Sequence, residues 1–203
     1  KESHIESDLI IPVPDSGVPA AIGYSEEIKN NYELGIIRNH YVGRTFIEPT
    51  QQIRSLGVKL KHNVNKSLIK NKSLILIDDS LVRGTTSVKI IKMLYEAGAK
   101  KIHLRIASPP IKYPDYYGVD TPNQNELLAS KLDLEGMRKF INATTLEFLS
   151  LEGLYKSMGY EKRNSSYPQF TDHCFTGEYP VEPVDANSKD FMDKKISLMS
   201  SKS

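Results

Sequence analysis

Leu74-Ile75-Leu76-Ile77-Asp78-Asp79-Ser80-Leu81-Val82-Arg83-Gly84-Thr85-Thr86-Ser87 decides the fold. An unbroken apolar run that stops on two carboxylates reads as a strand buried on both faces, the pattern of a parallel sheet rather than a half-exposed one. The residues that follow open a helix: Val88, Ile91, Leu94 and Tyr95 recur at helical spacing up to Gly98, a C-capping glycine. Residues 101–107 then read as a second strand, completing a strand-helix-strand unit.

Working outward, residues 8–13 form another short apolar run ending in Pro12-Val13-Pro14, followed by a helical stretch over 18–28 and a strand over 33–37. Strands alternating with helices predict an α/β fold with an open, mostly parallel sheet flanked by helices. Ligands of such sheets collect at the carboxyl ends of the strands. Prolines 109, 110, 114 and 122 with Gly118 mark a loop-rich crossing, after which 125–130 and 134–140 look helical and 145–150 strand-like. From Asn164 onward the periodicity fades, and residues 188–203 are rich in Ser and Lys, as a disordered tail is. The expected division is 1–163 as the folded domain, 164–187 as an extension and 188–203 as a tail.

Composition narrows the function classes. The 203 residues carry 27 basic and 25 acidic side chains, a formal charge of +2, too even to imply a nucleic-acid or membrane surface. The single cysteine, Cys174, excludes an intrachain disulfide and points to a reducing, cytoplasmic compartment. No apolar run approaches the roughly 20 residues of a membrane helix. His4, His62, His103 and His173 show no metal-ligand spacing and are expected at the surface or in the core.

The chemistry lies in the opening stretch. Two adjacent carboxylates at the end of a buried strand need hydroxyls, cations or a metal as partners, and a ribose diol supplies hydroxyls. Arg83, Gly84, Thr85, Thr86 and Ser87 then bring backbone amides, hydroxyls and the positive end of a helix to one spot, which suits a phosphate. An Asp-rich turn with a helix N-cap would explain Asp79 and Ser80 but not the Gly-Thr-Thr that follows.

Diol-binding acids followed by a phosphate cradle resemble the phosphoribosyl pyrophosphate (PRPP) motif of type I phosphoribosyltransferases. Purine-salvage members carry an acidic residue three positions after the second carboxylate; here Val82 stands there, and a valine cannot act as general acid or base. The nucleophile should therefore need no deprotonation by this loop, which suits neutral ammonia and disfavours a base-salvage enzyme. The string Asp78 to Ser87 resembles the amidophosphoribosyltransferase version, with Leu81 where isoleucine is common. Pro12-Val13-Pro14-Asp15-Ser16-Gly17, Tyr41-Val42-Gly43-Arg44-Thr45-Phe46-Ile47 and Gly118-Val119-Asp120-Thr121-Pro122 agree with that family in order and spacing.

The resemblance implies the type I phosphoribosyltransferase fold and formation of 5-phosphoribosylamine and pyrophosphate from PRPP and ammonia, the first committed step of purine biosynthesis. It implies that Asp15, Ser16 and Gly17 form the pyrophosphate loop, and that residues 38–49 form the loop closing over PRPP, with Arg38 and Arg44 neutralising the departing pyrophosphate. Asp78, Asp79, Ser80, Arg83, Gly84, Thr85, Thr86 and Ser87 would hold the ribose phosphate. Arg44, Asp78 and Asp79 would be catalytic, and Ser16, Asp78 and Asp79 would contact Mg²⁺. Gln52, Arg54, Lys59 and Lys61 also match family positions. Purine nucleotides are expected inhibitors, and a homo-oligomer is expected.

The chain departs from the family in several ways. It begins just before the first signature, so the family's glutaminase half, with its N-terminal cysteine, is expected to be missing or on another chain, and the sheet to lack an edge element. His40 and Lys66 stand where arginine is usual. One branch of the family binds an iron-sulfur cluster through four cysteines; here Asp115 occupies one of those sites and Cys174 another, so no cluster is expected. These departures leave room for a PRPP- or nucleotide-binding module with little turnover.

Overall fold

A computed structural model describes residues 2–39, 62–119 and 121–181. In chain order these form β1 (Leu9–Pro12), α1 (Val18–Ile28), β2 (Ile36–Arg38), β3 (His62–Val64), α2 (Lys66–Ile69), β4 (Ser73–Asp78) and α3 (Thr85–Glu96). There follow β5 (Lys101–Ile106), a 3-10 turn (Gln124–Glu126), α4 (Leu128–Lys131), α5 (Leu134–Ile141), β6 (Thr145–Phe148), α6 (Leu151–Ser157) and α7 (His173–Thr176).

β1, β4, β5 and β6 make one parallel sheet in the order β1-β4-β5-β6. β1 and the Leu74–Ile77 run of β4 are apolar on both faces because both are covered, whereas β5 and β6 alternate apolar with polar residues. On one side Leu74, Leu76, Ile102, Leu104 and Ile106 meet Ile90, Ile91 and Leu94 of α3 and Met137 and Ile141 of α5. On the other, Ile10, Ile75 and Ile77 pack on Ala21 of α1. The second face also carries buried His103 and Arg105. Thr145 Oγ1 bonds both, at 3.0 Å from His103 Nδ1 and 2.9 Å from Arg105 Nη1, and Arg105 Nε donates to Ser3 O, so the N-terminal residues cover this side.

The helices begin and end where side chains can take over the backbone's unpaired groups. Pro19 lies in the first turn of α1. Asp133 and Ser150 cap α5 and α6 through Gly136 N and Gly153 N. At the end of α3, Gly98 takes the positive φ expected just past Ala97.

Three sequence expectations change. Residues 33–37 do not extend the parallel sheet: Tyr32 makes one parallel bridge to Ile10, and β2 then pairs antiparallel with β3 in a separate ribbon. Gly35 is the reason, because a Cβ there would sit 2.6 Å from Ile11 Cδ1, so the chain turns close over the core and Ile36 buries while Ile37 faces out. Residues 125–130 are not one helix, since Leu127 is extended and fully buried between the 3-10 turn and α4. The strand over 145–150 stops at Phe148, and Ser150 caps α6 instead.

Past Asn164 order is carried by polar contacts rather than periodicity. Asp172 accepts from Tyr155 Oη at 2.9 Å and pairs with Arg163 Nε at 2.5 Å, and Arg163 also reaches Glu178 at 2.6 Å. Burial works against the Asp172 charge, but its hydrogen bonds from Arg163 and Tyr155 outweigh it and hold the carboxyl below its usual range. His173 Nε2 lies 2.8 Å from Asp115 Oδ2, with its ring stacked on Tyr179 and edge-on to Tyr117. None of the described helices is long and apolar enough to cross a membrane. The expected tail, 188–203, lies outside the described residues.

Candidate functional site

β1 and β4 end side by side, and their pairing continues one residue further through Val13 N to Ile77 O at 2.7 Å. The chain then turns over Pro14-Asp15-Ser16-Gly17, with a cis peptide between Pro14 and Asp15 and Gly17 N bonded back to Val13 O. Gly17 lies directly on the neighbouring strand end: a Cβ there would be 2.2 Å from Ile77 O. Only glycine lets the turn come this close to β4.

The closeness brings Ser16 to Asp78. Ser16 Oγ donates to Asp78 Oδ1 at 3.0 Å, and Asp79 N donates to the same oxygen at 3.0 Å. Asp78 is only 7% exposed. Burial, then the neighbouring Asp79 charge, push its carboxyl up to about 7, against the two hydrogen bonds that favour ionisation. Asp79 is exposed and accepts from Ser80 Oγ at 3.1 Å. One carboxylate is thus held beneath the surface and one stands above it.

Beyond the acids, Leu81 turns inward and is buried, anchoring the loop. Gly84 takes φ +75 at the N-cap of α3, where a Cβ would meet Leu128 Cδ2 at 2.8 Å and Phe140 Cε1 at 3.2 Å. No side chain caps this helix start, and Thr85 and Thr86 are exposed. Unpaired first-turn N–H groups, two hydroxyls and the helix dipole therefore face outward at one place, an anion receptor. Ser87 is buried and Gly84 is packed, so both shape the cradle from below.

Arg38, at the end of β2, reaches over the turn: its Nη1 lies 2.6 Å from Asp15 Oδ2. Asp15, Ser16, Gly17, Arg38, Asp78, Asp79, Ser80, Arg83, Gly84, Thr85, Thr86 and Ser87 thus lie along the carboxyl ends of β1 and β4 or on the elements joined to them. Arg44, with His40, Gln52, Arg54, Lys59 and Lys61, lies outside the described residues. Asp15 and Arg83 are each engaged with an oppositely charged side chain. Arg83 Nε donates to Glu126 Oε2 at 3.0 Å. Sequence reasoning missed Glu126, because a contact 43 positions away leaves no local signal.

The oxygens of Ser16, Asp78 and Asp79 are hard donors of the kind Mg²⁺ takes, and a cation would favour the ionised form that burial disfavours in Asp78. Among the described residues no three His, Cys, Asp or Glu side chains form a metal cluster. A cation here must complete its shell from ligand and water oxygens. Cys174 is half-buried, its thiol pushed up by burial and then by the nearby Asp115 carboxylate.

No family model matches the chain. It is 55% identical over 202 residues to the amidophosphoribosyltransferase of Rhizobium etli, a match covering 99% of this chain and 40% of that protein. The Bacillus subtilis amidophosphoribosyltransferase is 48% identical over 182 residues, 90% of this chain and 38% of that protein. Among solved structures, the B. subtilis glutamine PRPP amidotransferase complexed with ADP and GMP superposes with a TM-score of 0.79 at 48% identity, over 89% of this chain and 40% of that one. A structure described as the allosteric regulatory enzyme of purine biosynthesis gives 0.78, also at 48% identity, over 89% of this chain and 39% of that one. The chain therefore spans about two fifths of the length of these relatives. The chain thus has the phosphoribosyltransferase fold of these amidotransferases, and nearly its whole length matches about two fifths of an amidophosphoribosyltransferase at high identity.

Proposed function

We propose that this chain binds PRPP and carries the phosphoribosyl-transfer half of the amidophosphoribosyltransferase reaction, joining ammonia to C1 of the ribose and releasing pyrophosphate. The observation that carries this reading is the Ser16–Asp78 bond at 3.0 Å, which holds the turn after β1 against the diol acid after β4. In PRPP the pyrophosphate on C1 adjoins the ribose hydroxyls, so the groups that bind them must be neighbours.

Each element then has a task. Asp79, exposed, accepts from the ribose hydroxyls, and Asp78 completes the diol site once ionised. Thr85, Thr86 and the first-turn amides of α3 fix the 5-phosphate, converting remote binding energy into orientation at the reacting carbon. The amides of Asp15, Ser16 and Gly17 face the pyrophosphate, with Arg38 beside them to stabilise charge as it leaves. Mg²⁺, held by Asp78, Asp79 and Ser16 together with PRPP oxygens, would neutralise part of that charge. Val82 offers no base, consistent with ammonia, which needs none before attack.

In this reading residues 1–163 form the transferase domain and 164–187 an extension tied to it through Asp172 and His173. Ammonia comes from a glutaminase domain on the same or another chain, and the protein works in the cytoplasm as a homo-oligomer. Purine nucleotides compete with PRPP because they present the same ribose and phosphate; a related structure holds ADP and GMP. A binding module with little turnover is the other reading, favoured by the Asp15–Arg38 pair, which occupies a cation otherwise available to pyrophosphate. Ammonia-dependent pyrophosphate release from PRPP and Mg²⁺ decides between them. Release by the wild-type chain, lost in Asp79→Ala, supports transfer; tight PRPP binding without release supports the module.

A further inference from the structure

Arg83 is the cation of the loop between the diol acids and the phosphate cradle, yet its Nε is given to Glu126 of the 3-10 turn. The residues on either side of Arg83 are held from the same place. Leu128 N donates to Val82 O at 2.8 Å, and Leu128 Cδ2 fills the space beside Gly84, 2.8 Å from where a Cβ would lie. Val82, Arg83 and Gly84 are thus each fixed, in succession, by residues 126–128. Extended Leu127 makes this possible, because a continuous helix through 124–131 would keep Leu128 N for itself.

We propose that Glu126 is a positioning residue for the phosphate-binding loop, and that Arg83 acts through it as a brace rather than on the phosphate. This rests on the reading of 78–87 as the PRPP loop. The first-turn amides of α3 begin next to Gly84, so a shift of Val82 to Gly84 misaligns the donors that meet the 5-phosphate. The ion pair is half exposed on both sides, and such pairs add little to folding stability. Cutting it should therefore show in ligand affinity and leave the melting temperature almost unchanged. The sign is diagnostic: were Glu126 withholding Arg83 from the phosphate, its removal would tighten binding instead.

Calorimetric titration of the 203-residue chain with PRPP and Mg²⁺ tests this. Glu126→Ala should weaken binding about three- to fivefold, the range that losing one exposed pair allows. Glu126→Gln, which keeps an acceptor, should restore most of the loss. Arg83→Ala should weaken binding by the same factor as Glu126→Ala, and the double variant by no more than either, as one shared interaction requires. Unchanged or tighter binding by Glu126→Ala, or a far larger loss in Arg83→Ala, overturns the brace. If the wild-type chain binds PRPP and Asp79→Ala does not, such a result leaves the site reading standing; if the wild-type chain fails to bind PRPP, the site reading falls and the brace with it.

Discussion

Ser16 and Asp78, 62 positions apart in the chain, meet at 3.0 Å across the ends of two parallel strands. The bond is the only described partner of Asp78 that comes from the opposite loop, and it shares the oxygen that Asp79 N also reaches. Loss of the hydroxyl in Ser16→Ala should cost about 1 kcal/mol of stability. It should also raise the Asp78 carboxyl further, since this bond opposes the effect of burial. PRPP titrations at several pH values would then show the affinity rise displaced to higher pH.

The raised carboxyl gives the wild-type chain a pH signature of definite sign. Asp78 ionises at about 7 when folded, against 3.8 for an ordinary aspartate, so between those values the folded chain holds a proton that the unfolded chain has lost. Its contribution to stability is therefore greatest near the acid end of that window and declines as pH rises through about 7. Melting curves of wild type and Asp78→Asn from pH 5 to 8 isolate this term, as the difference between them should shrink toward acid. Mg²⁺ and PRPP favour the charged form, so their affinity should climb over the same window and level off above it.

Gly17→Ala is expected to destabilise the chain by about 2–3 kcal/mol, the cost of forcing volume into a packed place. A Cβ at this position would lie 2.2 Å from Ile77 O, which belongs to the sheet and cannot turn aside. Urea unfolding measures the loss, and PRPP affinity should fall too, because separation of the strands breaks the Ser16 contact. Gly23, with nothing within 4 Å of a Cβ, is the matched control: Gly23→Ala should be harmless.

The Asp115–His173 pair predicts the opposite acid behaviour. Burial disfavours the Asp115 charge, but hydrogen bonds from Tyr117 N, Val119 N and His173 prevail and set its carboxyl below 3.8. Its stabilisation is present above that value and is lost as pH falls through the lowered one. Asp115→Ala should cost about 3 kcal/mol at neutral pH, because it strips the acceptor from His173 and from backbone amides of the 117–119 turn. Chemical denaturation at pH 7 checks the size. His173 Nδ1 is already buried without a hydrogen-bond partner among the described residues, so little compensation is at hand.

The parallel core was legible because β1 and β4 are continuous apolar runs, each with its own stop, and Leu74 to Asp79 announces both strand and site within six residues. The helix at 18–28 was equally local, bounded by Pro19 and by Lys29, which takes the left-handed conformation. What escaped was everything that depends on a distant partner. Residues 33–37 look like any strand, and only Gly35 lying over Ile11, with His62–Val64 as partner, sends β2 out of the sheet. The break at Leu127 follows from Val82 O needing a donor, which no window around 125–130 could show. The Arg83–Glu126 and Asp15–Arg38 ion pairs were hidden in the same way, their partners standing 43 and 23 positions away.

One contact near the start of the chain governs how it can be joined to more protein. Glu2 receives both the N–H and the hydroxyl of Ser150, at 2.9 and 2.7 Å, just past the carboxyl end of β6. Phe148 aligns with Ile106 and Ile106 with Asp78, two strand spacings or roughly 10 Å across the sheet. Residues 2–8 thus run from the ligand-facing rim back to the far end of β1. A polypeptide attached ahead of Glu2 therefore begins at the rim that carries Asp78 and Asp79, so fusion there places its cargo on the side of the proposed ligand site rather than behind it.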